Sequence, residues 1–454
     1  MLKHVIRFAV LLIVAGGIAF WFLSRPDRAR LTIADVTGAR PKITAPRSEL
    51  LPTVSIAEVA GWPQGGKPTP AAGLRVQPFA AGLDHPRWML LLPNGDVLVA
   101  ETNSPPREGG GIKGWVMQRL MSKAGAGVPS ANRITLLRDA DGDGVAESRT
   151  PLLTGLNSPF GMVLLGDHLY VANTDALVRF PFRPGQTRIT DPAEKVIDLP
   201  GGGNHWARNV VAAPDGSRLY VSVGSSSNIG ENGMEAENRR AAVIEVDPKT
   251  KYSRIYATGL RNPVGMGWEP IRQRLWTVVN ERDMLGSDLA PDYMTSLELG
   301  ENYGWPWYYW GGYPDTRVDP PNPALQEYSK RPDYALGPHT ASLGLQFADA
   351  TNLGTRFNQG VFIGQHGSWN RVPVSGYKVI FVPFADNGFP TPNVKPVDVL
   401  TGFLSPDGKA WGRPVGVIAD RTGALLVADD VGNAIWRVSA AGGRSAPSRQ
   451  VASR

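Results

Sequence analysis

The chain has 454 residues, enough for one large all-β domain with additions, and 42% of them are hydrophobic, so a substantial core can be buried. A formal charge of +6 with only 19% charged residues, and no helical or RNA-binding motif beside it, argues against a nucleic-acid partner. The absence of cysteine excludes disulfides, thiol catalysis, zinc–thiolate centres, covalent c-type haem and a cysteine lipid anchor.

In chain order, Lys3 and Arg7 precede an uncharged apolar run of sixteen residues, 8–23. This is slightly short of the roughly 20 residues of a membrane span, but Val5 and Ile6 extend it, and Arg7 can snorkel. A cleaved signal peptide is the competing reading. The run ends Ala19-Phe20-Trp21-Phe22-Leu23-Ser24-Arg25-Pro26, without small-x-small spacing, and Trp21 and Phe22 suit an interfacial belt. Residues 1–23 are therefore expected to be an uncleaved anchor, with the globular part in the periplasm of a Gram-negative cell. The Pro-, Ala- and Gly-rich residues 24–72 read as a tether or a segment wrapped along the main domain, 73–440 as that domain, and 441–454 as a disordered tail.

Within 73–440 an apolar, β-branched stretch recurs after a turn and an x-Pro or Gly step. The stretches begin at Val97, Leu169, Leu219, Leu275, Val361 and Leu425, on average about 66 residues apart. Blades of four strands take roughly 40–50 residues, so these units carry insertions. With 52 Gly, 39 Pro and almost no amphipathic helical signal, six such units predict an all-β, six-bladed β-propeller. A pair of β-sandwiches or a β-solenoid is the alternative. A propeller brings the loops before each inner strand to one central channel.

Several groups can carry chemistry there. His205 follows Gly201-Gly202-Gly203-Asn204 and is a candidate general base, since imidazole titrates near neutrality; a hydrogen-bonded structural histidine is the alternative. Arg261, in Leu260-Arg261-Asn262-Pro263, offers a fixed donor fork for a carboxylate or quinone oxygen, or else holds blades together. Asp139, Asp141 and Asp143 start a calcium-type loop. Its twelfth position is Thr150 rather than Glu, Glu147 can stand in, and a plain hairpin turn is the equal alternative. Glu281, Asp283, Asp288 and Asp292 form an acidic loop able to hold calcium by side chains or carbonyls. The aromatic run 303–310 reads as packing in preference to a sugar platform. No dinucleotide fingerprint, nucleophile elbow or P-loop is present.

Five short motifs, in order, resemble the glucose/sorbosone dehydrogenase family: Gly82-Leu83-Asp84-His85-Pro86-Arg87-Trp88, Gly203-Asn204-His205-Trp206, Gly259-Leu260-Arg261-Asn262-Pro263, Asn302-Tyr303-Gly304-Trp305-Pro306 and Gly367-Ser368-Trp369-Asn370-Arg371. The similarity is greatest to the membrane-bound L-sorbosone dehydrogenase branch. It implies a six-bladed propeller carrying pyrroloquinoline quinone (PQQ) and calcium and oxidising a sugar or aldehyde, with electrons leaving to ubiquinone or a cytochrome. It places the base on His205 and the quinone-polarising pair on Arg261 and Asn262. The cations for the cofactor carboxylates fall on Arg371 or Lys378 and on Arg413, and the calcium-binding carbonyls on Asp283 and Met284. The family's Gly-Pro is absent from that last loop, Ser225 stands where a carboxylate is usual, and Val415 where a second arginine is expected. Two other readings remain: a calcium-dependent lactonase-type hydrolase, which needs convergent acidic ligands at the channel, and a non-catalytic surface-binding propeller, which tolerates loss of His205 and Arg261.

Overall fold

In a computed structural model, which describes residues 2–23, 25–47, 53–106, 111 and 119–442, six antiparallel sheets form the six blades of a β-propeller. The repeated apolar stretches are the second strands of the blades: Val97–Glu101, His168–Ala172, Leu219–Val223, Leu275–Val279, Gly360–Gln365 and Leu425–Asp429. Each is flanked by strands in its own sheet and by neighbouring blades on both faces. Nearly every residue is buried, which is why these strands read as continuous apolar runs and not as alternation.

The ring is closed by pairing distant parts of the chain. Leu74–Ala81 supplies the outer strand of the sixth blade, running antiparallel to Ala434–Ala440. Pairing the two ends of the domain in one blade locks the ring, and the outer strands of the blades remain as short edges. Two of these edges are covered by the N-terminal segment. Thr37–Gly38 pairs with Tyr334–Pro338 on blade four, and Thr69–Pro70 with Val397–Thr401 on blade five. Between these strands, Trp62 packs among Phe403, Trp411 and Trp436 and donates to Asp429 Oδ2 at 2.7 Å.

The apolar run near the N-terminus forms one helix, Leu2–Leu23, with Phe8, Leu11, Ile13, Phe20 and Trp21 exposed. Among the described residues no helix is long and apolar enough to cross a membrane. The expected tail falls almost wholly outside the described residues.

Candidate active site

The connections into each innermost strand and out of each second strand lie on one face of the ring, here the upper face. In blades one, four and six the innermost strand opens on proline: Pro86–Leu91, Pro263–Trp268 and Pro414–Ala419. Proline fits there because the first residue of a strand has no ladder bond to donate. A register irregularity follows at once in each, between Pro86 and Trp88, Pro263 and Met266, and Pro414 and Val417. Such bulges bend the strand and re-aim its first side chains. The residues just before these prolines, His85, Asn262 and Arg413, are thereby gathered on the upper face.

His205 enters from the loop before blade three. Its Nδ1 lies 2.9 Å from the Ser225 carbonyl and 3.0 Å from Ser225 Oγ, which itself donates to Ser227 O at 2.7 Å. A carbonyl only accepts, so Nδ1 carries the proton and Nε2 keeps its lone pair. Burial, and then the charge of Arg261, pushes the imidazole pKa down to about 3. Ser225, in the usual place of a carboxylate, thus fixes the tautomer without adding charge. Gly224 packs His205 against Asn262: a Cβ there would collide with Asn262 Oδ1 and His205 Cβ. Asn262 Oδ1 is itself buried without a hydrogen-bond partner.

Arg261 is 5% exposed and spends all five N–H donors on the protein. Nε donates to Asn228 O (3.1 Å), Nη1 to the Asn280 and Glu281 carbonyls (3.3 and 2.7 Å), and Nη2 to Asn228 Oδ1 and Asp283 Oδ2 (2.8 and 3.0 Å). Asp283 also meets His339 Nδ1 at 3.3 Å, while His339 Nε2 lies 3.2 Å from Gly286 O. Both ring nitrogens face acceptors, as in an imidazolium. Burial opposes that charge, but the Asp283 carboxylate outweighs it and raises the His339 pKa. Burial likewise opposes the Asp283 charge, and Arg261 and His339 overcome it to hold the carboxyl low.

The other acids of this loop are also engaged. Asp292 accepts from Glu281 N, Thr340 Oγ1 and Ala341 N, Glu281 pairs with Arg282, and Asp288 pairs with Arg47. No set of free carboxylates converges here for calcium among the described residues. The two carbonyls that the resemblance assigns to calcium, those of Asp283 and Met284, accept instead from Arg317 Nη1 at 3.1 and 3.0 Å. They do not fit an ion at calcium–oxygen distances of about 2.3–2.6 Å unless Arg317 leaves.

A second group gathers where blades five, six and one meet. Asp430 Oδ2 accepts from Arg87 Nη1 at 2.6 Å and His366 Nε2 at 2.8 Å, with His85 Nε2 at 3.4 Å. Burial works against the Asp430 charge, yet His366, His85 and Arg87 outweigh it and hold the carboxyl far below its usual range. Burial also keeps His85 neutral, with a pKa of about 4. Arg413 joins this group, its guanidinium 5.4 Å from the Tyr377 ring centre and donating to Ala57 O at 3.2 Å. The Nε atoms of Arg87 and Arg413 are buried without partners, so each keeps an unspent cationic donor. Arg87 brings a second arginine into this group from blade one, while position 415 is valine.

Other expectations fall elsewhere. Lys378 is not in either group; its Nζ pairs with Asp398 on the neighbouring outer strand at 2.7 Å. Arg371 is buried and donates to Ser287 O and Pro373 O, tying down the loops around it. Asp139, Asp141, Asp143 and Glu147 bring carboxylate oxygens within 4.8 Å of one another, on the opposite face of the ring from His205. The aromatic run is packing: Tyr303, Trp305, Tyr308, Tyr309 and Trp310 are all buried. Sequence reasoning singled out neither Arg87, His366, Asp430, His339 nor Arg317 for a role, although Arg87 and His366 stand in or beside the quoted motifs.

Comparison with known proteins agrees with this architecture. The chain is 31% identical over 236 residues to an uncharacterized protein of Borreliella burgdorferi, covering 52% of this chain and 60% of that protein. It is 25% identical over 356 residues to the pyrroloquinoline quinone-dependent pyranose dehydrogenase of Coprinopsis cinerea, covering 69% of this chain and 44% of the relative. The chain thus spans less than two thirds of either relative's length. The calcium structure of a Trichoderma reesei enzyme of carbohydrate-active family AA12 superposes with a TM-score of 0.68 at 18% identity, over 86% of this chain and 99% of that one, which speaks to the fold. Residues 68–292 and 322–441 match the TrAA12-like family, and the chain belongs to it.

Proposed function

We propose that the chain is a PQQ-dependent dehydrogenase of an aldose, or of an aldehyde such as sorbosone reacting as its hydrate or cyclic hemiacetal. The observation that carries this is the state of His205: a neutral imidazole, its Nδ1–H anchored on the Ser225 carbonyl, its Nε2 lone pair unprotonated, packed beside Asn262. That is the form a general base needs before it takes a proton from a substrate hydroxyl. The unpartnered Nε atoms of Arg87 and Arg413, beside His366, suit the carboxylates of PQQ, and the unpartnered Asn262 Oδ1 suits a polar group beside the base. Bound PQQ would supply the two-electron acceptor that no side chain of this protein can provide. Arg261 contributes a buried positive charge next to His205. The family membership and the name of the Coprinopsis cinerea relative support the same reading.

Three accompanying features belong to this proposal. Electrons leave to ubiquinone or a cytochrome. The exposed apolar side chains of the N-terminal helix hold the protein at a membrane, with the propeller on the periplasmic side. The Asp139–Glu147 carboxylates bind a structural calcium away from the chemistry.

The test is the reduction of bound PQQ by sugar, followed by its absorbance in a stopped-flow mixer, which needs no electron acceptor. His205→Ala should bind PQQ as the natural chain does and reduce it about 10²–10⁴ times more slowly. Reduction at a near-natural rate would remove His205 as the base, whereas no reduction of PQQ by the natural chain would favour the surface-binding propeller.

A further inference from the structure

The link between the last two strands of blade four, from Pro291–Leu297 to Tyr334–Pro338, is long, and residues 293–321 lie outside the family match. It leaves the lower face and climbs the outside of the ring to the upper loops. There Trp305 Nε1 donates to Asn228 O at 2.9 Å, and Arg282 donates to the carbonyls of Pro306 and Tyr308 at 2.5 and 2.7 Å. This route carries Arg317 to the loop that follows the second strand of blade four.

Arg317 is held in place. Its Nε and Nη2 form a two-pronged pair with Asp315 at 2.8 and 2.7 Å, and its backbone N–H donates to the same carboxylate at 3.1 Å. Asp315 is fully buried and is approached from behind by Arg282 Nη1 at 3.4 Å. The remaining nitrogen, Nη1, points at the carbonyls of Asp283 and Met284. Met284 has a φ of 67°, an uncommon conformation for a residue with a side chain, and its N–H is fixed by Asn370 Oδ1 at 2.8 Å. Two carbonyls are thus turned onto one guanidinium nitrogen by a loop built to hold them there.

A calcium ion on these oxygens needs six to eight oxygen ligands in all. The neighbouring oxygens are already spent: Asn228 Oδ1 accepts from Arg261 and from Asp283 N, and the Asp283 carboxylate serves Arg261 and His339. A dication would also join the Arg261 and Arg282 guanidiniums around one loop. We propose that Arg317 takes the place of the calcium ion, so that this loop presents a fixed guanidinium charge and the site works without calcium there. The idea deepens the quinone reading and rests on it for what faces Arg317, but the claim about calcium stands on the loop alone.

Two measurements separate the ideas. The first is PQQ binding to the full chain, followed by quenching of protein fluorescence, in a calcium chelator and in excess calcium. The natural chain should bind equally in both. Arg317→Ala should bind on the order of tenfold or more weakly in chelator, having lost the fixed positive charge, and calcium should restore it. Binding by the natural chain that collapses in chelator and returns with calcium overturns the proposal. The second is calcium bound per chain by equilibrium dialysis in Asp141→Ala, which removes the lower-face carboxylate cluster from the count. No bound calcium, with or without PQQ, supports the proposal, and one ion per chain overturns it. If PQQ binds neither chain, the cofactor reading falls and the dialysis result alone decides whether Arg317 excludes calcium.

Discussion

Replacing Asp430 with asparagine should be among the costliest single changes on the upper face. The carboxylate is buried, and Oδ2 serves Arg87 at 2.6 Å and His366 at 2.8 Å, while Oδ1 accepts from Val431 N at 2.7 Å. An amide keeps the shape but removes the charge and turns donors toward donors. Arg87 Nε already lacks a partner, so the variant leaves a buried guanidinium almost uncompensated. Breaking a buried pair in this way costs about 3–5 kcal/mol. A propeller of about 370 residues, at about 2.1 cal/mol/K per residue, has an unfolding entropy near 0.8 kcal/mol/K, so the melting midpoint should fall by about 4–6 °C. The exposed Lys378–Asp398 pair is the internal control, since Asp398→Asn should cost under about 1 kcal/mol and shift the midpoint by about 1 °C or less. The Asp430 carboxyl is depressed in the folded state, so its stabilisation is complete above its unfolded pKa of about 3.9 and fades below it by at most about 1.4 kcal/mol per pH unit. The gap between natural and Asp430→Asn chains should therefore be constant from neutrality to about pH 4 and narrow below that. Melts by circular dichroism at one scan rate measure this. A shift for Asp430→Asn no larger than that for Asp398→Asn would refute the cluster as a stabilising unit.

Three further outcomes follow from the geometry. Because burial and Arg261 hold His205 unprotonated down to about pH 3, the rate of PQQ reduction should stay level between about pH 5 and 7; an acid limb centred near 6.5 would mean that the imidazole behaves as it does in water. Calcium at about 100 times its dissociation constant should stabilise the natural chain by about 2.7 kcal/mol through the Asp139–Glu147 loop, and Asp141→Ala should lose that response in a thermal-shift assay; equal responses would refute the loop as a calcium site. The full chain should sediment with membranes and a chain starting at Arg25 should not, so recovery of the full chain in the high-speed supernatant would rule out the helix as an anchor.

What the sequence revealed and what it hid follow from the same physics. The second strands were legible because both of their faces are buried, so each is a run of apolar residues that needs no alternation. The closing strand Leu74–Ala81 was not, because it alternates irregularly between buried and exposed, and its partner lies some 360 residues away. His205 and Arg261 stood out because each sits in a motif just before an innermost strand. Asp430 and Arg317 have no such local mark. Asp430 gains meaning only when His85, Arg87 and His366 arrive from two other blades, and Arg317 only when a long link climbs across the ring. The carbonyls of Asp283 and Met284 belong to a loop the sequence singled out, but what they face is a tertiary fact.

The saturation of Arg261 changes what its contribution can be. A guanidinium with a free prong can bind a developing negative oxygen directly, but here every N–H ends on a protein oxygen. Its influence on a neighbouring reaction is then exerted through its charge and through the positions it imposes on Asn228 and Asp283. Buried charge is effective at this because little water intervenes to screen it. The same charge acts on His205, where it adds to burial in lowering the imidazole pKa. Removing Arg261 would therefore do two opposed things: withdraw stabilisation from negative charge nearby, and make His205 a stronger base. The two residues form one electrostatic unit, so the effects of changing each singly need not add, and their separate contributions have meaning only within a double-mutant cycle.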